Sequence, residues 1–325
     1  SRVSRGLGDV YKRQTLSLLF AGLLTGCSSY THTNSHATSA EVTSFYDYQL
    51  YTPSGEHIAL SKLPIELQQA DVILIGEWHT HAGIHRFQTD MLKQLTSYDR
   101  SLALSMEQFT RDKQPVVDAY LRGEIGEQYL MKQANAWPNY ESDYRPLVEF
   151  AKQKNLPVIA ANAPKSIVRC IGRQGLDYIN KLDDDQRMFI AQAINTGSSP
   201  YKEKFMASMH HGKPEQTEKQ FAAQVTWDET MAESIVSYLD DNPGAQIVHV
   251  AGKFHTEQGL GTAASILSRN PSLKVVVISP TDNVLSDNTD YQLEVLAPPV
   301  RYVQDAHRMA AYQHLTKRNN DLQCK

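Results

Sequence analysis

Apolar residues recur along this chain with two periods, and the periods alternate. Residues 72–75 form a continuous apolar run, as expected for a strand buried on both faces. After Gly76 the period lengthens: Ile84, Phe87, Met91, Leu92 and Leu95 fall at helical spacing. The same alternation continues. A strand over 102–106 precedes a helix marked by Val116, Val117, Tyr120 and Leu121 and stopped near Gly123. A helix over 146–152, with Pro146 in its first turn and Ser142 or Asp143 as cap, precedes a strand over 157–161. Residues 167–179 predict a helix interrupted around Gly172 and Gly175. Met231, Ile235 and Leu239 mark a helix over 228–239. Strands over 247–251 and 274–279 flank a helix over 260–267, and 291–296 reads as an edge strand. Upstream, 48–51 and 58–60 make a short hairpin around 53–55, followed by a short helix over 63–69.

Strands alternating with helices predict an α/β fold: a mainly parallel central sheet flanked by helices. The polar, His- and Met-bearing stretch over roughly 183–220 fits none of the strands and reads as a helical cap region. Residues 46–300 are expected to form one domain, with 301–325 as a C-terminal tail. Ahead of it, 28–45 is rich in Ser, Thr, His and Asn, the composition of a solvated tether.

Composition adds two limits. With 41% hydrophobic and 21% charged residues, the chain has enough apolar material for a large core. A net charge of -4 and the lack of a long basic run give nucleic-acid binding no support. Residues 1–14 show no apolar pattern and are set aside as an artefactual start. The apolar run TLSLLFAGLLTGC over 15–27 is too short to span a bilayer as a mature helix. Its end, LTGC, resembles a bacterial lipobox, which implies cleavage before Cys27 and lipidation of its thiol. With Ser28 next, the expected place is the outer membrane, lipid-anchored and facing the periplasm. The other two cysteines, Cys170 and Cys324, could pair in an oxidising compartment. Cys324 sits where chains fray, and both are expected to be free.

The chemistry-bearing residues collect behind strands. Gly76-Glu77-Trp78-His79 follows the first core strand, and Gly252-Lys253-Phe254-His255 follows a later one. Gly permits a turn closed to other residues. Glu77 and His79 lie two apart, so an extended backbone points them the same way. Glu107 ends the strand over 102–106 and Asn162 follows the one over 157–161. In open parallel sheets, the C-terminal rim of the strands is where ligands sit. Glu77, His79, Glu107 and His255 are therefore expected to converge on one rim. His81 and His85 share a helical face but match no His-Glu-x-x-His arrangement and read as structural, as does His249 within its strand.

Several separated blocks now carry a resemblance: GEWH at 76–79, WPNYESDYRPLVEFAK at 137–152, PVIAANAPKSIVR at 157–169, AAQVTWDETMA at 222–232 and HVAGKFH at 249–255. In this order, over roughly 65–280, they resemble the ChaN-like family of iron-regulated haem-binding lipoproteins. That family sits in a wider superfamily with erythromycin esterases and Tiki-type metalloproteases. The resemblance implies haem held between two monomers, with iron ligated by a tyrosine. Tyr144 matches the position, with Tyr140 as alternative. His210 or His211 could approach from the other subunit, and Arg145, Lys165 and Arg169 could pair with propionates. A haem transporter or receptor is the implied partner. The rival expectation is a metal-dependent hydrolase in which Glu77, His79, Glu107 and His255 hold zinc or manganese or activate its water.

Overall fold

The structure is a computed structural model and describes residues 41–209, 213–318 and 323–324. Cys27, His210 and His211, with the roles expected of them, lie outside those residues.

The hairpin forms as expected, from β1 (Gln49–Tyr51) and β2 (His57–Ile58), and leads through the short helix α1 (Ile65–Gln69) into β3 (Val72–Glu77). Helix α2 (Ala82–Leu95) buries the apolar stripe Ile84, Phe87, Met91, Leu92 and Leu95. Strand β4 (Leu102–Thr110) follows, then α3 (Gln114–Leu121), α4 (Glu127–Gln133) and α5 (Arg145–Gln153). The chain enters α5 through a single π-helical turn, Tyr140–Tyr144, and Tyr144 occupies the N-cap without a side-chain cap bond. The expected cap from Ser142 or Asp143 does not form. Asp143 instead accepts from Asn139 Nδ2 at 2.7 Å.

Strand β5 (Val158–Asn162) is followed by α6 (Lys165–Gln174), which runs through Gly172 and stops at Gly175, where φ is +92°. The cap region holds α7 (Asp184–Met188) and α8 (Pro200–Ser208). It ends earlier than expected, because α9 (Pro214–Asp241) begins well before residue 228. The apolar spacing of Phe221, Val225, Ala232, Ile235 and Leu239 keeps that long helix on the sheet. Strand β6 (Gln246–Gly252), the turn of helix α10 (Lys253–Thr256), α11 (Thr262–Arg269), β7 (Val275–Thr281), β8 (Tyr291–Glu294) and α12 (Asp305–Arg318) complete the order.

The eight strands form one sheet in the order β2-β1-β8-β7-β3-β6-β4-β5. The pairs from β8 to β5 are parallel, and β1 and β2 add an antiparallel edge. Strands β3 and β6 lie in the middle, buried at every position. Apolar clusters fill both faces. One joins α2, α3 and α5 to the sheet; another joins α9 and α11 to the opposite side. Parallel neighbours end at the same rim. This brings the ends of β3, β6 and β4 side by side, with Glu77 opposite Gly252 in register.

Two cysteine expectations are corrected. Cys170 and Cys324 are paired in a disulfide with 5.6 Å between their Cα atoms. Cys170 is buried in the α6 cluster, and the chain end is brought to it.

Candidate functional site

Glu77 ends the central strand with its side chain fully enclosed. It accepts from His79 Nδ1 at 2.8 Å, Tyr144 Oη at 2.6 Å, Gln108 Nε2 at 3.1 Å and Gln88 Nε2 at 2.7 Å. Burial by itself would raise its pKa. The hydrogen bond from His79, the charges of His85 and His79, and the Tyr144 hydroxyl outweigh burial and hold the carboxyl below its usual range. The same bond acts on His79. Burial pulls the imidazole down, but Glu77 and the charge of Glu107 raise its pKa above the ordinary 6.5.

Glycine 252 explains the other half of the motif. Its φ is -53°, so no left-handed turn is needed. A Cβ there would lie 2.8 Å from His79 Cε1 and 3.0 Å from His79 Nε2. Gly76 likewise sits in regular strand, where a Cβ would lie 2.5 Å from Thr256 Oγ1. The expected turn role of both glycines is thereby corrected: each makes room for a neighbour.

Glu107 accepts from the backbone N–H of Gly252 at 2.6 Å and stands 3.7 Å from His255 Nε2. The register of β4 shifts between Met106 and Thr110. Such a bulge re-aims side chains, which is how the consecutive Glu107 and Gln108 both reach the rim network. His255 is backed by Asp228, 2.9 Å from its Nδ1. Asp228 in turn accepts from Tyr201 Oη and Thr262 Oγ1, each at 2.8 Å. Burial pulls His255 down, yet Asp228 and Glu107 push it up to about 9.

The rim thus carries two His–carboxylate pairs, His79–Glu77 and His255–Asp228, with Glu107 between them. They open on a cleft of about 800 Å³ whose lining includes Phe45, Trp78, Phe254, Pro298, Lys253 and Arg301. His79 is the accessible imidazole, with 45% of its side chain exposed against 9% for His255. Its ring packs edge-on against Trp137 at 4.9 Å, and Nε2 has no hydrogen-bond partner among the described residues.

The expected rim quartet of Glu77, His79, Glu107 and His255 is together. The tyrosines differ from expectation. Tyr144 has no exposed surface, and its hydroxyl is spent on Glu77. Burial and the Glu77 charge raise its pKa far above the ordinary value, opposite to what a phenolate ligand needs. Tyr140 is also buried, beside Phe109. Arg145 pairs with Glu127 and Glu141, while Lys165 is exposed and Arg169 partly buried; none of the three lines the cleft. His85 is structural, set between Gln88 Oε1 and the His79 carbonyl at 3.0 Å each. His249 is enclosed in β6 with its pKa pressed down by burial to about 3. Among the described residues, no three His, Cys, Asp or Glu side chains are gathered as a metal site.

Sequence reasoning missed Asp228, Gln88, Gln108, Tyr201 and Gln224, whose Nε2 donates to Tyr201 Oη at 3.0 Å beside His255 in the cleft lining. Asp228 had a signal: it occupies the otherwise apolar stripe of α9. Gln88, one turn after His85, had the same kind of signal on α2.

These features define an α/β protein that presents backed histidines to an apolar cleft at the strand ends. A model of haem-binding uptake proteins of the Tiki superfamily, ChaN, matches residues 64–266, and the chain belongs to that family. ChaN of Campylobacter jejuni, solved with cofacial haem binding, has the same fold: TM-score 0.60 and 18% identity over 77% of this chain and 98% of that one. An erythromycin esterase mutant in its open conformation is more distant, at TM-score 0.43 and 11% identity, covering 82% and 87% of the two chains. Protein RETICULATA-RELATED 5, chloroplastic, of Arabidopsis thaliana is 24% identical over 206 residues, 59% of this chain and 28% of the relative. The chain thus spans under a third of that relative's length.

Proposed function

We propose that this chain binds haem in the rim cleft, with His79 Nε2 facing the iron. The observation that carries the reading is the state of His79: half exposed, fixed through Nδ1 by a buried carboxylate, with Nε2 free of any hydrogen bond among the described residues, in the lining of an aromatic cleft. A backed imidazole of this kind is a good metal ligand, because the second hydrogen bond fixes its orientation and raises its basicity. The donor set also fits the rest of a haem. Phe45, Trp78 and Phe254 offer apolar walls, and Arg301 offers a cation for a propionate, whereas Lys253 is held by the Pro280 carbonyl and Glu257. Bound haem supplies an iron that accepts a lone pair. The chain's part is to hold that lone pair in place.

Hemin titrated into the full chain is expected to give a Soret band that His79→Ala abolishes and Tyr144→Phe keeps. A band unchanged in His79→Ala overturns this ligand assignment. The proton competes for the same nitrogen. Because the His79 pKa lies above 6.5, affinity is expected to weaken as pH falls, beginning above that value and steepening to about tenfold per pH unit.

Haem-linked dimerisation is part of the proposal and is read from the mass in solution with and without hemin. So is an outer-membrane lipid anchor at Cys27 with a periplasmic-facing domain. Support comes from the LTGC motif and from the Cys170–Cys324 pairing, which suits an oxidising compartment. Among the described residues, no helix is long and apolar enough to cross a membrane.

One observation favours a second reading, acid–base hydrolysis. His255, held protonated by Asp228 and Glu107, faces the same cleft as the basic His79. That reading predicts turnover of a chromogenic ester, lost in both His79→Ala and His255→Ala. Absence of turnover removes it.

A further inference from the structure

The chain beyond β8 lies outside the residues matched by the family, which end at 266. Strand β8 runs parallel to β7, so the chain leaves it at the same rim that carries the site. The Leu296 carbonyl accepts from His81 Nε2 at 3.0 Å. Pro298, Pro299 and Arg301 then line the cleft. Helix α12 follows, and its described side chains are almost all exposed. Further along the chain, Cys324 is bonded to Cys170 of α6, the helix that follows β5.

The sheet order gives the span. β8 and β5 are separated by β7, β3, β6 and β4, a width of about 24 Å at ordinary strand spacing. The 14 residues of α12 make a rod of about 21 Å. The segment is therefore long enough to reach from one side of the rim to the other. The described side chains of α12 are almost all exposed, so the fixed points of this stretch are the His81–Leu296 bond before the helix and the disulfide after it.

We infer that residues 297–318, latched through Cys324, form a strap that completes the ligand site, with Arg301 meeting a carboxylate of the ligand. Among the described residues Arg301 makes no ion pair, so its guanidinium is available to an incoming anion. The ligand's identity rests on the haem reading; the latch does not.

Two measurements on the full chain keep these apart, both in a Cys27→Ser background that removes the third thiol. Hemin dissociation is followed by transfer to an excess apoprotein acceptor, and amide hydrogen exchange is followed without hemin. In Cys324→Ser, exchange across residues 78–81 is expected to rise, and hemin to leave about tenfold faster. Arg301→Gln is expected to speed dissociation severalfold with exchange unchanged. If Cys324→Ser alters neither quantity, the strap is refuted. Faster exchange with an unchanged off-rate leaves a latch that takes no part in the site and also overturns the inference. If the parent chain takes up no hemin, the haem reading falls, and the exchange result alone decides the latch.

Discussion

At the residue scale, Glu77 is a fully enclosed carboxylate at the end of the central strand. Four donors converge on its two oxygens, which is what allows a carboxylate to remain ionised while fully buried. Tyr144→Phe removes one of the four and is expected to cost about 2 kcal/mol, read from the urea midpoint. His255 and His249 titrate in opposite directions. The folded His255 pKa is raised from 6.5 to about 9, so its stabilisation is complete below 6.5 and fades as pH rises to about 9. The folded His249 pKa is depressed to about 3, so stability is lost as pH falls from 6.5 toward that value, because the unfolded chain takes up the proton first. In Asp228→Asn the alkaline loss should flatten while the acid loss persists; equal slopes in parent and variant on the alkaline side would count against the pairing. The sequence made His79 and Glu107 legible because each comes just after the apolar run of a strand. It could not show Tyr144 turning inward, since a tyrosine before Pro146 on an amphipathic helix can face either the core or a ligand.

At the scale of elements, the core strands were legible because uninterrupted apolar runs bounded by polar turns have few other uses. The early start of α9 was not. Its first turns, beginning at Pro214, carry mostly polar residues, of which Gln216 reaches the Gly172 carbonyl of α6, so the apolar period there is weak. The join between β6 and α11 is tighter than its sequence suggests. A Cβ on Gly261 would lie 2.5 Å from the His255 carbonyl oxygen and 2.9 Å from Asp228 Oδ1. Backbone on one side and a three-bonded carboxylate on the other leave little room to yield. Gly261→Ala is expected to destabilise the fold by about 2 kcal/mol and to displace Asp228, lowering the His255 pKa in an NMR titration. Gly252→Ala differs, because the atoms it meets belong to the half-exposed His79. It should leave the denaturation midpoint nearly unchanged while weakening hemin uptake.

At the scale of the whole molecule, the mainly parallel α/β architecture was readable from the alternation of periods, but the strand order was not. Nothing local in β3 or β4 announces that β6, from the far end of the sequence, lies between them. That insertion is what sets Glu77, Gly252 and Glu107 on three adjacent strands. The fate of residues 301–325 was equally hidden, because two cysteines 154 positions apart carry no pairing signal.

The Cys170–Cys324 bond also turns nearly half of the chain into a closed covalent ring that contains α9, β6, β7 and β8. A protease that cuts this ring once, at an exposed site such as Lys181, produces no free fragment. On a denaturing gel without reductant the nicked protein should still run as a single species, and with reductant it should separate into two pieces. Two bands without reductant would show that the ring is open in solution.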